Sequence, residues 1–355
     1  MIVLSGYIVK EVLKGSAVAV ILLLTLFNLF TFSDELKDIG TGSYQLKEIL
    51  LYIALTSPRV FYELIPSAAL LGSLFVVGAM GNNREIVAMR AAGASIFWII
   101  KSVMLAGLIL VLISVFVGEF IAPEAERTAQ LIRTKAQKEK VVLNHGAGLW
   151  LREGNSYINV RQIEGKGQLV NIYIYEFDPQ GHLVLVSQVE KATFLENKLW
   201  QLKGITQTEV SSVQIFAKKK EEMTWKTSID PDLLNVVVVK SENMSLYDLY
   251  MYISFLKDNS QKTQTFELAF WSRLINPLVT FVMLMVSIPF VISVRRGVGT
   301  GGRMMLGVVI GMSFNIFDKI AGHLGLVYEF NPMLMAILPS LLVFLGAVIA
   351  VSRVG

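Results

Sequence analysis

The chain has 355 residues, of which 54% are hydrophobic and 17% are charged, and its formal net charge is +4. A composition this apolar excludes an ordinary soluble domain, and the small charge excess predicts no nucleic-acid partner. The chain contains no cysteine, so disulfides cannot stabilise any part of it.

Six apolar segments are each long enough to cross a membrane. A hydrocarbon core of about 30 Å requires about 20 residues of helix. The alternative, a large soluble fold with buried helices, would need amphipathic helices to cover them, and none occurs in comparable number. We predict six transmembrane helices, three on each side of a charged middle region: residues 12–32, 60–80, 99–121, 274–294, 304–323 and 333–352.

The positive charges predict the orientation of these helices. Basic residues gather before the first span, around the second turn, in the fourth loop and at the end of the chain: Lys10, Lys14, Arg84, Arg90, Arg295, Arg296, Arg303 and Arg353. Under the positive-inside rule these regions and both termini face the cytoplasm, and the middle region lies outside. The first apolar segment lacks a small-residue cleavage site, so it is expected to remain as a helix.

The turn at residues 82–93 is predicted to form a short cytoplasmic helix. Asn82 would cap it, Ile86 and Met89 would form its apolar face, and Gly93 would end it. Such a helix suits contact with a separate motor protein. Glu85 could instead complete a capping box with Asn82, and spacing alone favours that role, although the two roles are compatible. Four residues are the candidate motor contacts: Arg84, Glu85, Met89 and Arg90.

The sequence of the middle region predicts an all-β domain. Residues 123–242 hold 31 of the 60 charged residues. Apolar and polar residues alternate, as in residues 171–177, and turn signals at 178–181 and 196–198 separate the runs. We expect short antiparallel strands over residues 148–240, arranged as a sandwich, jelly roll or open barrel. Composition favours a closed core over a groove for lipid.

Helices are predicted at both joints of this domain. Residues 124–140 are charged and helix-permissive, so they would continue the third span outward. Residues 245–257 are rich in aromatic residues, and Ser245 with Asp248 three residues later gives a helix start. This second helix is expected to lie at the membrane surface.

No catalytic motif is found. The chain lacks a phosphate-binding loop and a His-Glu-x-x-His pair, and its three histidines have no ligand spacing. A Gly-x-Ser-x-Gly elbow is also missing. We therefore predict a protein that is not an enzyme and binds no cofactor itself, so that a partner supplies any energy.

Several short motifs follow one another along nearly the whole chain. They are Tyr7-Ile8 with Lys14, Phe32-Ser33-Asp34-Glu35-Leu36-Lys37, Arg84-Glu85-Ile86-Val87-Ala88-Met89, Gly118-Glu119-Phe120-Ile121-Ala122-Pro123, Gly148-Leu149-Trp150, Trp225-Lys226-Thr227, Trp271-Ser272-Arg273 and the stretch from Leu326 to Pro332. Each is weak alone, but in this order and spacing they resemble the LptF/LptG family of permease subunits of the lipopolysaccharide exporter.

The resemblance implies an α-helical membrane protein with 3+3 helices and an inserted periplasmic β-jellyroll, in the bacterial inner membrane. In this family LptF and LptG pair as a heterodimer on the dimeric cytoplasmic ATPase LptB, which binds ATP and Mg²⁺. Lipopolysaccharide would leave the membrane lipid of the outer leaflet of the inner membrane and enter the cavity between the two permeases. ATP-driven closure would then expel it along the jellyrolls, through LptC, towards a periplasmic bridge. The implied parts are residues 1–122 with helices one to three, 123–242 with the jellyroll and its helical lead-in, and 243–355 with the interfacial helix and the last three spans.

The resemblance also implies roles for single residues. Glu85 matches the acidic residue that meets the motor, which raises the contact role above the cap. Lys37 and Arg133 match basic positions linked to lipid handling, although Lys37 could be an ordinary interface lysine. The resemblance implies lysine at the positions of Thr31 and Asp38, so the rim of this chain would bind phosphate less strongly. Aromatic candidates for the lateral gates at the first and fifth spans are Phe27, Phe30 and Phe317.

Charged residues also occur within the predicted spans. Each costs about 2.5 to 3.5 kcal/mol at mid-membrane and therefore needs a partner or water. Glu63, Glu119, Asp318 and Lys319 all fall in the outer halves of their helices. Cross-helix ion pairs are favoured over gate roles. Intramembrane acids also keep a proton-coupled carrier open as an alternative, and a scaffold that only anchors the β-domain is another.

Overall fold

The structure is a computed structural model that describes residues 2–137, 149–163, 168–195, 199–210, 215–227, 241–259, 261–292 and 300–352. Arg295, Arg296 and Arg353, which contributed to the predicted orientation, lie outside these ranges, as do residues 138–140 of the predicted lead-in helix and the predicted turn at 196–198.

Six helices of the described chain are long and apolar enough to cross a membrane, which confirms the predicted 3+3 arrangement. Two shorter helices, α3 (Glu85–Ala91) and α6 (Leu246–Asp258), connect them. A π-helical turn, Val117–Ile121, and α5 (Ala122–Ala136) extend the third span. The spans are α1 (Ile2–Glu35), α2 (Leu46–Asn82), α4 (Ile96–Phe116), α7 (Gln264–Ile292), α8 (Thr300–Val327) and α9 (Pro332–Ser352).

Helix α2 is the centre of the membrane part, and small residues bring its neighbours close. A Cβ on Gly72 would overlap the backbone of Gly15 and Ser16 in α1. A Cβ on Gly107 of α4 would lie 2.5 Å from Leu284 of α7. Because lipid tails are as apolar as the helices, such close van der Waals packing is what holds spans together.

The inserted domain is one antiparallel sheet, so the predicted all-β insert is confirmed. Its six described strands pair in sequence order, as in an up-and-down arrangement. The turn at Asp178 forms as predicted: Gly181 donates its N–H to the Asp178 carbonyl, and its φ is 85°. The strands are β1 (Leu149–Glu153), β2 (Ser156–Ile163), β3 (Gln168–Phe177), β4 (Leu183–Phe194), β5 (Leu199–Val210) and β6 (Ile215–Lys226).

The alternation of inward- and outward-facing side chains reverses at one position in each of three adjacent strands. These positions are Asn171, Glu190 and Gly204, and we call them the crease. Side chains three residues apart in a regular strand point to opposite faces. Here φ is positive at Asn171 (55°) and Gly204 (64°), which turns the next residues over. Buried pairs three residues apart flank the crease in adjacent strands: Leu169 and Ile172, Val189 and Ala192, Leu202 and Ile205.

The apolar face of the β-domain is packed by its own side chains and contacted by α6. Trp200 and Leu202 are fully buried, and Phe194 packs edge-on against Trp200. Phe255 of α6 contacts this interior and also the apolar cluster between α6 and α7. These contacts attach the domain to the membrane part.

Helix α6 has the amphipathic character predicted for an interfacial helix. The Ser245 hydroxyl accepts the Asp248 N–H at 3.1 Å, which confirms the predicted helix start. Leu249 is buried against α7, whereas Tyr247 is 70% exposed on the other face. Tyrosine on such a face suits a membrane surface, since its ring is apolar and its hydroxyl is polar.

Candidate functional site

The candidate motor contact, helix α3, begins later than the sequence predicts. Asn82 still belongs to α2, and the following Asn83 N–H bonds back to Ala79, so the prediction that Asn82 caps α3 is wrong. Arg84 occupies the cap position instead, with φ at 60° and no side-chain cap bond. The predicted end is confirmed, because Gly93 follows α3 with φ at 91°.

The carboxylate of Glu85 is held by two neutral donors. The Tyr7 hydroxyl of α1 donates to Oε2 at 3.0 Å, and the Asn83 amide donates to Oε1 at 3.2 Å. Glu85 opens the helix rather than occupying its third position, so the capping-box alternative is wrong. No ion pair neutralises Glu85 within the described part of the chain, which leaves a half-exposed negative charge beside the helix N-terminus.

The remaining candidates of α3 differ in exposure. Arg84 and Arg90 are exposed, and so is Val87 between them. Met89 is only 6% exposed and packs into the core of the membrane helices. Met89 therefore anchors α3, Glu85 lies half-exposed one turn before it on the side of α1, and Arg84 and Arg90 are open to a partner.

At the opposite end of the membrane part, Arg133 of α5 lies between two carboxylates of the α1 exit. Its guanidinium is 2.9 Å from Asp38 and 3.2 Å from Glu35, and it stacks over the Tyr52 ring at 5.5 Å. The Tyr44 hydroxyl donates to Glu35 at 2.8 Å. Burial, and then this bond, raise the pKa of Tyr44. We call Glu35, Asp38, Tyr44, Tyr52 and Arg133 the rim cluster.

Within the rim cluster Asp38 has a structural role that the sequence did not predict. Asp38 pairs with Arg133 across 95 positions of the chain, and the Ser43 N–H donates to the Ala136 carbonyl at 2.6 Å beside it. These bonds attach the loop after α1 to the end of α5. Since α5 leads toward the β-domain, the cluster connects α1 to that domain's support.

Lys37 is in a very different setting from Arg133. Its ammonium group is 2.8 Å from Asp34, and its side chain is 75% exposed. An exposed pair between neighbouring residues of one turn holds its partners weakly. Lys37 is therefore free to exchange Asp34 for another anion, whereas Arg133 would have to leave two carboxylates.

The aromatic gate candidates lie on surfaces that this chain leaves uncovered. Phe27 and Phe30 on α1 and Phe317 on α8 are all exposed. Little of α1 or α8 is buried inside the chain, whereas most of α2 is. The sequence alone does not reveal these facings, because an apolar side chain in a span suits lipid, a partner helix or the chain's own core equally well.

A buried ion pair joins the two halves of the membrane part. Arg273 of α7 lies 2.6 Å from Glu119 in the π-helical turn and also donates to the Gly118 carbonyl. Its guanidinium stacks over the Tyr62 ring of α2 at 5.3 Å, and the Leu246 N–H that begins α6 donates to Glu119. The predicted cross-helix pair is thus confirmed for Glu119. Arg273 was missed as its partner, although a single arginine bordering an apolar span is a usable signal.

The other intramembrane charges have different environments. Glu63 pairs with Arg59 of its own helix at 2.8 Å, and Arg59 also reaches the buried Glu126 of α5 at 3.2 Å. Among the residues that the structure describes, neither Asp318 nor Lys319 forms an ion pair. The predicted cross-helix pairing is therefore wrong for Glu63, whose partner lies on its own helix, and it is not found for Asp318 or Lys319.

Comparison with known proteins gives one consistent result. The family model described as lipopolysaccharide export system permease LptF/LptG matches residues 6–353. The chain is 31% identical over 340 residues to LptG of Haemophilus influenzae, covering 96% of this chain and 95% of the relative. It is 32% identical over 345 residues to LptG of Escherichia coli K12, covering 97% and 96%. To LptF of the same strain it is 21% identical over 178 residues, covering 50% and 48%.

Proposed function

Because the chain belongs to the LptF/LptG family of lipopolysaccharide export permeases, we propose that it is a transmembrane subunit of an ATP-driven exporter. It extracts lipopolysaccharide from the outer leaflet of the inner membrane and passes it to a periplasmic jellyroll bridge. The match to LptG along almost the entire chain carries this proposal, together with six spans around a β-sheet insert.

The energy comes from a second protein. In the proposed complex a dimeric cytoplasmic ATPase, LptB, binds ATP and Mg²⁺, and this chain is a non-catalytic subunit. Helix α3 would meet the ATPase through the exposed Arg84 and Arg90 and the half-exposed Glu85. The hydrogen bond from Tyr7 supports this role, because it links α3 to α1 and so gives motor movement a route to a membrane helix.

The second half of the exporter is the paralogous permease LptF. Helices α1 and α8 leave most of their surface uncovered within this chain, which suits helices that face a partner or a cavity. The β-domain would lie in the periplasm beside LptC, and both termini would lie in the cytoplasm, as the basic residues of the described turn, Arg84 and Arg90, favour.

Lipid handling at the outer rim is assigned first to Lys37. A phosphorylated glycolipid needs cations near the mouth of an apolar cavity. Lys37 is exposed and weakly held, while Arg133 already serves the rim cluster. Phe27, Phe30 and Phe317 would contact acyl chains near the gates. A scaffold or a proton-coupled carrier is not favoured, because the full-length relatives are exporter permeases.

Reconstitution tests this function directly. Vesicles containing this chain, the paralogous permease and the ATPase receive labelled lipopolysaccharide, and delivery to a soluble jellyroll acceptor is measured. Delivery is expected with ATP and absent with a non-hydrolysable analogue. Delivery that follows a proton gradient and ignores ATP would instead establish the carrier.

A further inference from the structure

Two carboxylates hold the two ends of the β-domain together. The chain enters the domain through α5 and returns to the membrane part through the turn Ser241–Asn243 and the start of α6. Glu119, in the π-helical turn before α5, accepts the Leu246 N–H at 3.0 Å. Glu126, in α5 itself, accepts a hydrogen bond from the Asn243 side-chain amide at 3.1 Å. We call Glu119, Glu126, Asn243 and Leu246 the clasp.

Each carboxylate of the clasp also binds an arginine of a membrane helix. One oxygen accepts from the returning chain, and the other accepts from an arginine Nε. Glu119 binds Arg273 of α7 at 2.6 Å, and Glu126 binds Arg59 of α2 at 3.2 Å. Because α2 belongs to the first set of spans and α7 to the second, the clasp connects the β-domain to both sets.

The clasp has features of a functional joint. Glu126 and Asn243 are buried, and a buried charge pair commonly adds little stability over apolar side chains of similar volume. Its hydrogen bonds are directional, however, so they fix the orientation of the segments that they join. Glu119 also lies in a π-helical turn, and such turns inside α-helices are frequently found at functional sites.

The packing of α5 leaves its position to these polar contacts. Besides Glu126, the buried residues of this helix are the alanines Ala122, Ala129 and Ala136. Alanine side chains form only shallow ridges, so they resist a small slide between packed helices less than large interlocking side chains do. The bonds of Glu126 therefore decide which neighbouring segments move together with α5.

We propose that the clasp positions the β-domain during transport, by turning it together with α2 and α7 when the ATPase closes the membrane helices. The two arginine-bound carboxylates receive the movement of the spans. Asn243 and Leu246 pass it to the returning end of the domain, so that both ends move as one body. This proposal rests on the proposed function and adds to it positioning residues between the spans and the β-domain.

Leu246→Pro removes one bond of the clasp and leaves α6 able to form. Proline is tolerated at the first residue of a helix, where the N–H has no partner within the helix. Ser245 already has the extended backbone that a residue before proline adopts, with φ at −68° and ψ at 162°. Leu246→Ala is the matched control, because it removes the side chain and retains the N–H.

The first measurement is lipopolysaccharide delivered per ATP hydrolysed by the complete exporter. We expect Leu246→Pro to lower this ratio about tenfold relative to Leu246→Ala, as loss of a hydrogen bond to a charged group does, while ATP hydrolysis continues. Equal ratios for the two variants would overturn the proposal.

The second measurement follows the β-domain itself. The chain has no cysteine, so cysteines introduced at the exposed Lys191 of β4 and Leu334 of α9 can carry a pair of spin labels. The distance between the labels should change when ATP and vanadate trap the unaltered exporter in its closed state, and Leu246→Pro should abolish that change. An unaltered exporter without any change, or an equal change in Leu246→Pro and Leu246→Ala, would contradict the proposal.

Asn243→Leu provides an independent variant if Leu246→Pro fails to assemble. It removes the amide that reaches Glu126 and keeps a similar volume. Asn259→Leu is its control, since the Asn259 amide donates to the Phe255 carbonyl of the same helix. Both losses are expected for Asn243→Leu alone, and equal losses in the two variants would refute the clasp. If the unaltered exporter delivers no lipopolysaccharide, the proposed function fails, and the label distances alone then decide the clasp.

Discussion

At the residue scale, the main finding is that Glu85 is oriented from outside its own helix. Sequence spacing predicts a local cap, but the donors are Tyr7 of α1, 78 positions away, and Asn83 of the preceding turn. Spacing describes neighbours along one helix, so it cannot reveal a contact between two helices. It does predict the anchoring face, since Met89 is buried at the position that an apolar stripe requires.

Removing the Tyr7 hydroxyl should weaken coupling between the ATPase and transport. In Tyr7→Phe, the Glu85 carboxylate loses its donor from α1, so we expect lipopolysaccharide delivered per ATP hydrolysed to fall about two- to tenfold, the usual net effect of one hydrogen bond. Vesicle delivery and phosphate release are measured together. The control is Tyr247→Phe, on the exposed face of α6.

A double-variant comparison separates this role from simple damage to α1. When Glu85 is already alanine, Tyr7→Phe should have no further effect, because the group it serves is gone. Full additivity of the two substitutions would contradict the assignment of Tyr7 to Glu85.

Lys37 and Arg133 should respond differently to loss of charge. Lys37→Gln is expected to reduce lipopolysaccharide crosslinking at the rim without changing the melting temperature, because its ion pair with Asp34 is exposed. Arg133→Gln leaves Glu35 buried without its cation, so it should destabilise the protein by roughly 1 kcal/mol, allowing for the part of Arg133 that water reaches. Unfolding of the purified chain in detergent and crosslinking yield distinguish them. A lower melting temperature for Lys37→Gln would refute this division.

At the element scale, the crease marks the positions at which the alternation of apolar and polar residues no longer predicts which side chains are buried. The alternation over residues 171–177 correctly predicts part of β3, and the turn at Asp178 follows as expected. The crease cannot be read from alternation, because its left-handed residues reverse the inward face within continuous strands. Gly204 is a sequence signal for it, since glycine inside a strand commonly marks an irregularity.

Gly204→Ala should destabilise the β-domain. Its φ of 64° disfavours any Cβ, and that Cβ would lie 2.6 Å from the Glu190 carboxylate. We expect a loss of about 1 to 2 kcal/mol, measured as faster amide hydrogen exchange in β4 and β5 of the full-length protein. Gly181→Ala is the matched control, because Gly181 has φ at 85° but open space around it. Equal effects at both positions would show that strain in φ alone decides the outcome.

At the scale of the whole molecule, composition predicts the 3+3 plan well, but it does not identify which residues connect the two halves. Length and hydropathy identify each span because every apolar residue contributes to the same signal. The connection between halves depends instead on a few side chains, Tyr62, Glu119 and Arg273, drawn from three distant segments. Nothing in the local sequence of any one segment specifies the other two. The contacts of the rim cluster, which join α1 to α5, could not be predicted from the sequence for the same reason.

The Glu119 and Arg273 pair should be the strongest single connection between the halves. Arg273 is only 6% exposed, so Arg273→Met leaves Glu119 poorly compensated and is expected to destabilise the protein by about 3 kcal/mol. Combining it with Glu119→Met should recover part of that loss, since two apolar side chains leave no buried charge. Melting of the full-length protein in detergent measures both. Arg127→Met, which breaks the more exposed pair with Glu124 on α5, serves as the control and should change stability by less than about 1 kcal/mol. If the double variant is less stable than Arg273→Met alone, the hydrogen bond from Leu246 to Glu119, and hence the attachment of α6, contributes more than the charge pair does.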